Sequence, residues 1–225
     1  MNTIKSLLVT ALIAITATLP AQNIFFPTKV GTVLTFVQKD DNGQITGYTR
    51  QTIKSVNGSG SNMTISYLYE SMDEDRNVVV SAPCQMVIKD DVMIFDNKHV
   101  FVGQLKSSNE KLVDVTGSSM QFPNSLAPGQ SIKDAHLNAE IHKGITVHAK
   151  VDMINGKCVA IEDVKTQAGT FKSHKITQDV TTSVLGRTTP THVTSWGAPG
   201  IGIVKIETRD EHGAMKNTTE LVEIK

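Results

Sequence analysis

Between residues 136 and 153 the side chains alternate between apolar and polar almost without a break. Leu137, Ala139, Ile141, Ile145, Val147, Ala149, Val151 and Met153 hold the odd positions, and His136, Asn138, Glu140, His142, Gly144, Thr146, His148, Lys150 and Asp152 hold the even ones. A period of two marks an antiparallel strand with one wet face, whereas a helix would space its apolar residues three and four apart. Lys143 breaks the parity beside Gly144, so the stretch reads either as one long strand or as two strands meeting at a tight turn there. A slip of one residue would invert every side chain. The parity therefore predicts Ile145, Val147 and Val151 facing the core, with Thr146, His148 and Lys150 facing water.

The rest of the chain has the same grammar in shorter pieces. Runs rich in Val, Ile, Thr, Tyr and Phe predict strands over 33–38, 44–56, 63–71, 78–81, 85–89, 92–95, 111–116, 157–166, 170–183, 188–196, 203–209 and 218–224. Turn signals separate them, among them Asp41-Asn42-Gly43, Pro128-Gly129, Asn155-Gly156, Ala168-Gly169, Ala198-Pro199-Gly200 and Glu211-His212-Gly213. No segment keeps a helical period over three turns. Strands without intervening helices imply an all-β, antiparallel sandwich, roll or barrel with little or no helix. A weak echo links two places, Gly31-Thr32-Val33 with its Asp-Asn-Gly turn and Gly202-Ile203-Val204 with its Glu-His-Gly turn. Hairpin grammar and duplication both account for it.

Composition narrows the picture. The 225 residues carry 22 Lys plus Arg and 22 Asp plus Glu, so no basic excess points to nucleic acid. A single Trp argues against a multi-ring carbohydrate platform. Lys5, the apolar run over 7–19 and Pro20-Ala21 read as a signal peptide over 1–21, cut before Gln22 and too short for a comfortable membrane span. A retained signal anchor is the alternative reading. Gln22 is not Cys, so a lipoprotein anchor is not indicated. The expected product is a single all-β domain over 22–225, with 123–130 as a candidate hinge, destined for the periplasm, the cell surface or secretion. It has no transmembrane segment. Cys84 and Cys158 stand as a disulfide or as two buried thiols, with the unpaired state expected.

Chemistry was sought at each reactive residue. His136, His142 and His148 share a face, but neighbours lie six residues apart, about 20 Å along a strand. They read as solvated strand histidines. No Gly-x-Ser-x-Gly elbow occurs, and adjacent Ser173 and His174 point to opposite faces of a strand. Cys84 has no His near it in sequence. Glu70, Asp73, Glu74 and Asp75 read as a solvated turn. No catalytic residue, metal ligand or cofactor site is expected, and the chain is read as a non-enzyme.

One ordered set of motifs spans nearly the whole mature chain. It runs from Phe26-Pro27-Thr28-Lys29-Val30-Gly31 through Pro123-Asn124-Ser125-Leu126 and Pro128-Gly129-Gln130 to Thr166-Gln167-Ala168-Gly169-Thr170-Phe171. It ends with Trp196 and Pro199-Gly200-Ile201-Gly202-Ile203-Val204-Lys205. The set resembles the TapB-like exported proteins, a domain-of-unknown-function 3108-like family of envelope proteins. The resemblance implies a spiral antiparallel β-roll in a Gram-negative cell envelope and carries no catalytic residues. Gln167 departs from the pattern, which has Pro there. Taken together, the fold expected is an antiparallel spiral β-roll or a sandwich-like barrel. Gly169, Phe171, Trp196, Pro199, Gly200 and Gly202 form its candidate structural signature: glycines for turns and close approach, aromatics to fill the core.

Three functions remain open from sequence: a non-catalytic envelope domain binding a protein or glycan partner, a periplasmic carrier of a lipid-like ligand, and, third in order, a hydrolase with a site assembled from distant residues. A carrier needs an apolar void; a binder needs an exposed recognition surface.

Overall fold

A computed structural model describes residues 24–102, 111–142 and 144–225. The signal-peptide expectation over 1–21, the cut before Gln22, and Lys143 lie outside the described residues. The strands are β1 (Val33–Asp40), β2 (Ile45–Ser59), β3 (Asn62–Met72), β4 (Val78–Lys89), β5 (Val92–Phe95), β6 (Lys111–Gly117), β7 (Gln121–Pro123), β8 (Ala135–His142), β9 (Thr146–Thr166), β10 (Gly169–Val184), β11 (Arg187–Ala198), β12 (Gly202–Asp210) and β13 (Met215–Ile224). One short helix, α1 (Asn97–Val102), follows β5. All thirteen strands join one antiparallel sheet in the order β6-β8-β9-β10-β11-β12-β13-β1-β2-β3-β4-β5-β7. The all-β antiparallel expectation is met. The closed-barrel form of it is not, because the end strands β6 and β7 do not pair with each other.

The sheet buries its own surface by folding over. One core holds Ile53, Ile65, Tyr67, Met86 and Met93 from β2–β5 together with Cys158 of β9, Ile176 of β10 and the leading segment Ile24, Phe25 and Phe26. A second packs Phe101 of α1 against Leu137, Ile141, Ala149 and Val151. A third gathers Leu34, Phe36, Val164, Trp196, Val204 and Leu221. Cys84 and Cys158 are both buried and both free thiols.

Several sequence expectations need correction. Asn155-Gly156 is not a turn. It is a bulge inside the 21-residue β9, where Asn155 takes φ 57°, a left-handed conformation Asn tolerates, and pairing with β10 shifts register. The strands expected over 78–81 and 85–89 are one strand, β4, which runs through Pro83. Pro83 pairs with Leu68 on β3, while β5 begins to pair only at Met86, so the missing N–H removes no bond from that side. Ile145 is 65% exposed, not core, because the chain turns between β8 and β9 just before Thr146. The two-residue turn before β10 is Gln167-Ala168 rather than Ala168-Gly169, since Gly169 already pairs with Thr166. Gln167 donates its backbone N–H to Glu220 at 3.0 Å, a bond the Pro of the resembled pattern lacks the hydrogen to make. Glu70 is buried against Arg50 rather than solvated.

Three hairpins share one cap. Asp40 Oδ1 accepts the N–H groups of Asn42 and Gln44, Asp73 Oδ1 those of Asp75 and Asn77, and Asp210 Oδ1 those of His212 and Ala214. The fourth residue of each turn is left-handed: Gly43 at φ 79°, Arg76 at φ 67° and Gly213 at φ 84°. The echo read in the sequence thus has a counterpart in backbone geometry, and the β3–β4 turn carries it too.

Candidate functional site

Of the signature residues, Gly200 and Gly202 meet the leading segment, while Trp196 and Phe171 lie in the third core. Trp196 is buried in the third core beside the half-buried Phe171. Its indole N–H donates to Glu162 at 2.7 Å, and that bond holds the Glu162 carboxyl below the usual range. Lys175 and Lys205 lie 5.3 and 5.1 Å from its ring centre. Gly202 has φ 100°, and a Cβ there would stand 3.2 Å from the Phe25 carbonyl oxygen. Gly200 donates its N–H to Ile24 at 2.6 Å. Gly169 lies against Phe171, and Pro199 is exposed at the turn. These contacts seat residues 24–26 across the β11–β12 turn. They bring the first and last motifs of the chain together, and they are packing contacts.

The histidines of the alternating stretch diverge. His136 meets Asp152 at 2.8 Å, His148 faces Glu140 across the ladder, and His142 faces Thr146. Among the described residues no group of three or more His, Cys, Asp or Glu converges to hold a metal ion. Ser173 and His174 are both buried, and His174 packs edge-on against Phe25 at 4.7 Å.

Sequence reasoning missed one polar cluster. Cys84 lies directly across the ladder from Tyr67, whose hydroxyl sits 2.7 Å from His99 Nδ1 on α1. Asp96 starts that helix by accepting the Lys98 N–H at 3.0 Å. Asp96 before Asn97 is the only local signal that could have revealed it. Burial pushes the Tyr67 hydroxyl well above its ordinary range, so Tyr67 donates and neutral His99 accepts. Burial pulls His99 down to about 4. Burial and then the Asp96 carboxylate push the Cys84 thiol up to about 12. A nucleophilic cysteine requires the opposite shift and an imidazole that takes up a proton near neutrality.

The face of β1–β4 opposite the Tyr67 core forms a groove. One part, about 490 Å³, is lined by Val33, Thr35, Arg50, Lys54, Glu70 and Arg76 among others. The next, about 360 Å³, includes Ser66, Pro83, Gln85, Asp96 and Lys98. Lys54 and Leu68 line both, so the two parts are continuous. Arg50 grips Glu70 with two bonds, Nε–Oε2 at 2.6 Å and Nη2–Oε1 at 2.9 Å, which lowers the Glu70 carboxyl. Lys225 pairs with Glu223 at 2.8 Å. Exposed Lys54 and Arg76 have no ion pair among the described residues, and Arg76 lies over the Tyr48 ring at 4.4 Å.

Two crystal structures share this architecture. One is of an exported-protein candidate with a YmcC-like fold from Bacteroides fragilis NCTC 9343. It is 21% identical with a TM-score of 0.78, covering 89% of this chain and 98% of that one. The other is of a candidate lipoprotein from Parabacteroides distasonis ATCC 8503. It is 20% identical with a TM-score of 0.77, covering the same shares. At this identity the likeness establishes the fold. No curated protein matches the sequence. The DUF3108-like family model spans residues 29–221, from the leading motif to Leu221 within β13, and the chain belongs to that family.

Proposed function

We propose that this chain is an exported, non-catalytic cell-envelope domain that binds a protein or glycan partner in the groove across β1–β4. The observation that carries the reading is the groove itself. It is a continuous trough whose lining offers exposed side chains not consumed by the fold. The signal-like segment over 1–21 and the exported or lipoprotein descriptions of the two similar structures support an envelope destination. Within that family the motif set resembles the TapB-like exported proteins. The non-catalytic part rests on the Cys84–Tyr67–His99 cluster, which is tuned away from nucleophilic chemistry. The carrier reading has less support, because both parts of the trough are open and lined with charged and polar groups rather than enclosed and apolar.

Ser66→Trp tests the proposal, because Ser66 lines the groove without belonging to any of the three cores. The full mature chain is applied to an immobilised glycan panel and to envelope extracts. The expected result is loss of binding in Ser66→Trp with an unchanged urea midpoint. Undiminished binding would move the site elsewhere, and turnover of a bound glycan would overturn the non-catalytic reading.

A further inference from the structure

The groove carries more cations than its carboxylates pair directly. Its larger part holds four cations, Arg50, Lys54, Arg76 and Lys225, and two carboxylates, Glu70 and Glu223. Each carboxylate already has a direct partner. Lys54 and Arg76 make no direct ion pair among the described residues and act on Glu70 and Glu223 only at longer range, in a chain whose formal net charge is zero. The position of Arg76 is the more telling. In two of the three identically capped hairpins the left-handed residue is Gly, which takes that conformation freely. In the third, at the end of the groove, it is Arg at φ 67°. A non-Gly residue there is held at an energetic cost, and such outliers concentrate where function needs the side chain. The guanidinium lies over Tyr48, which orients it at the trough's rim.

We infer that the groove recognises an acidic saccharide, a glycan bearing carboxylate or phosphate groups, with Arg76 and Lys54 as its anion contacts. The inference rests on the groove reading above. A saccharide fits better than a peptide in the larger part of the trough because β1 and β3 there are paired on both sides along their length, so no strand can be added between them. The trough is not the continuous apolar slot that would seat an amphipathic helix either. What it offers is hydroxyls and an amide from Thr52, Ser66 and Gln85, with the half-buried Leu68 as a small apolar face for ring carbons.

The test is calorimetric titration of the full mature chain with four probes: trigalacturonate, phosphorylated maltotriose, maltotriose and an oligoglutamate peptide. One or both acidic saccharides are expected to bind, and binding should weaken as salt rises from about 0.1 M to about 0.5 M. Arg76→Gly and Lys54→Ala should each lower affinity about tenfold, the loss of one charge-assisted contact. Arg187→Ala, on the distant β10–β11 turn, should leave it unchanged. Arg76→Gly separates recognition from folding, because it relieves the backbone and should keep or raise the urea midpoint while affinity falls. Equal binding of maltotriose, insensitive to Arg76→Gly but abolished by Ser66→Trp, would overturn the acidic specificity and leave the groove reading standing. Preference for oligoglutamate would overturn the saccharide assignment in favour of a protein partner. Acidic-saccharide binding that Lys54→Ala, Arg76→Gly and Ser66→Trp all leave intact would overturn both readings. Failure of every probe would overturn this inference alone, since envelope extracts test the groove separately.

Discussion

The β8–β9 hairpin and the β2–β4 ladder are built from the same kind of strand and bury it differently. Along β8 the positions run buried, exposed, buried, exposed, and the start of β9 continues this faithfully. Its outer face is open to water and is spent on polar pairs, His136–Asp152 across the strands and Lys150–Asp152 along β9. Along β3 the alternation runs buried, half-buried, and ends with Glu70 buried as well. The second face of β3 is therefore half-sheltered, and the trough with the exposed cations Lys54 and Arg76 lies along it. A strictly wet face reads clearly in sequence and does little; a sheltered face blurs the alternation and can hold a ligand.

The contrast breaks most visibly at Val147, which lies buried on the dry face of β9. Val147→Asp should bury an unpaired carboxylate and destabilise by about 4 kcal/mol. Urea denaturation followed through Trp196 fluorescence measures it; a loss below about 1 kcal/mol would mean that face is not closed.

Acid should act on the core side of the same ladder. Burial holds His99 at about 4, below its ordinary 6.5, so the folded chain binds this proton more weakly than the unfolded one. The stability His99 contributes is whole above pH 6.5 and is lost as pH falls towards 4, by at most on the order of 3 kcal/mol. In His99→Gln the pH 7 to pH 4 difference should shrink, and an unchanged difference would place the acid sensitivity elsewhere.

A smaller effect belongs to the groove floor. Arg50→Ala leaves the buried Glu70 carboxylate without its two-bond partner, but Arg50 is itself 39% exposed, so solvent screening limits the loss to about 1 kcal/mol. The carboxyl should titrate at higher pH once Arg50 is gone, which NMR of a labelled Glu can follow. Smallest of all is His148→Asp, one position from Val147 and on the wet face, where the change should stay under about 0.5 kcal/mol. If it matched Val147→Asp, the two faces would not differ as described.

What the chain determined locally is the β content, the antiparallel hairpins, the Asp-capped turns and the parity of β8–β9. All of these depend on neighbours two to five residues apart, so they are written in short windows of sequence. Tertiary structure decided what those windows could not contain. Asn155-Gly156 became a bulge because the pairing with β10 continues past it. Pro83 stayed in a strand because one side of β4 has no partner there. Gly200 and Gly202 took meaning only when residues 24–26 crossed the β11–β12 turn, and Trp196 and Phe171 when the third core closed around them. The Cys84–Tyr67–His99 cluster and the groove each join residues from different strands or from α1, and Arg76 reads as an ordinary turn residue until φ 67° and the Tyr48 ring are seen together. Those juxtapositions are long-range, set by how a thirteen-stranded sheet folds over to bury its own faces, and no local pattern encodes them.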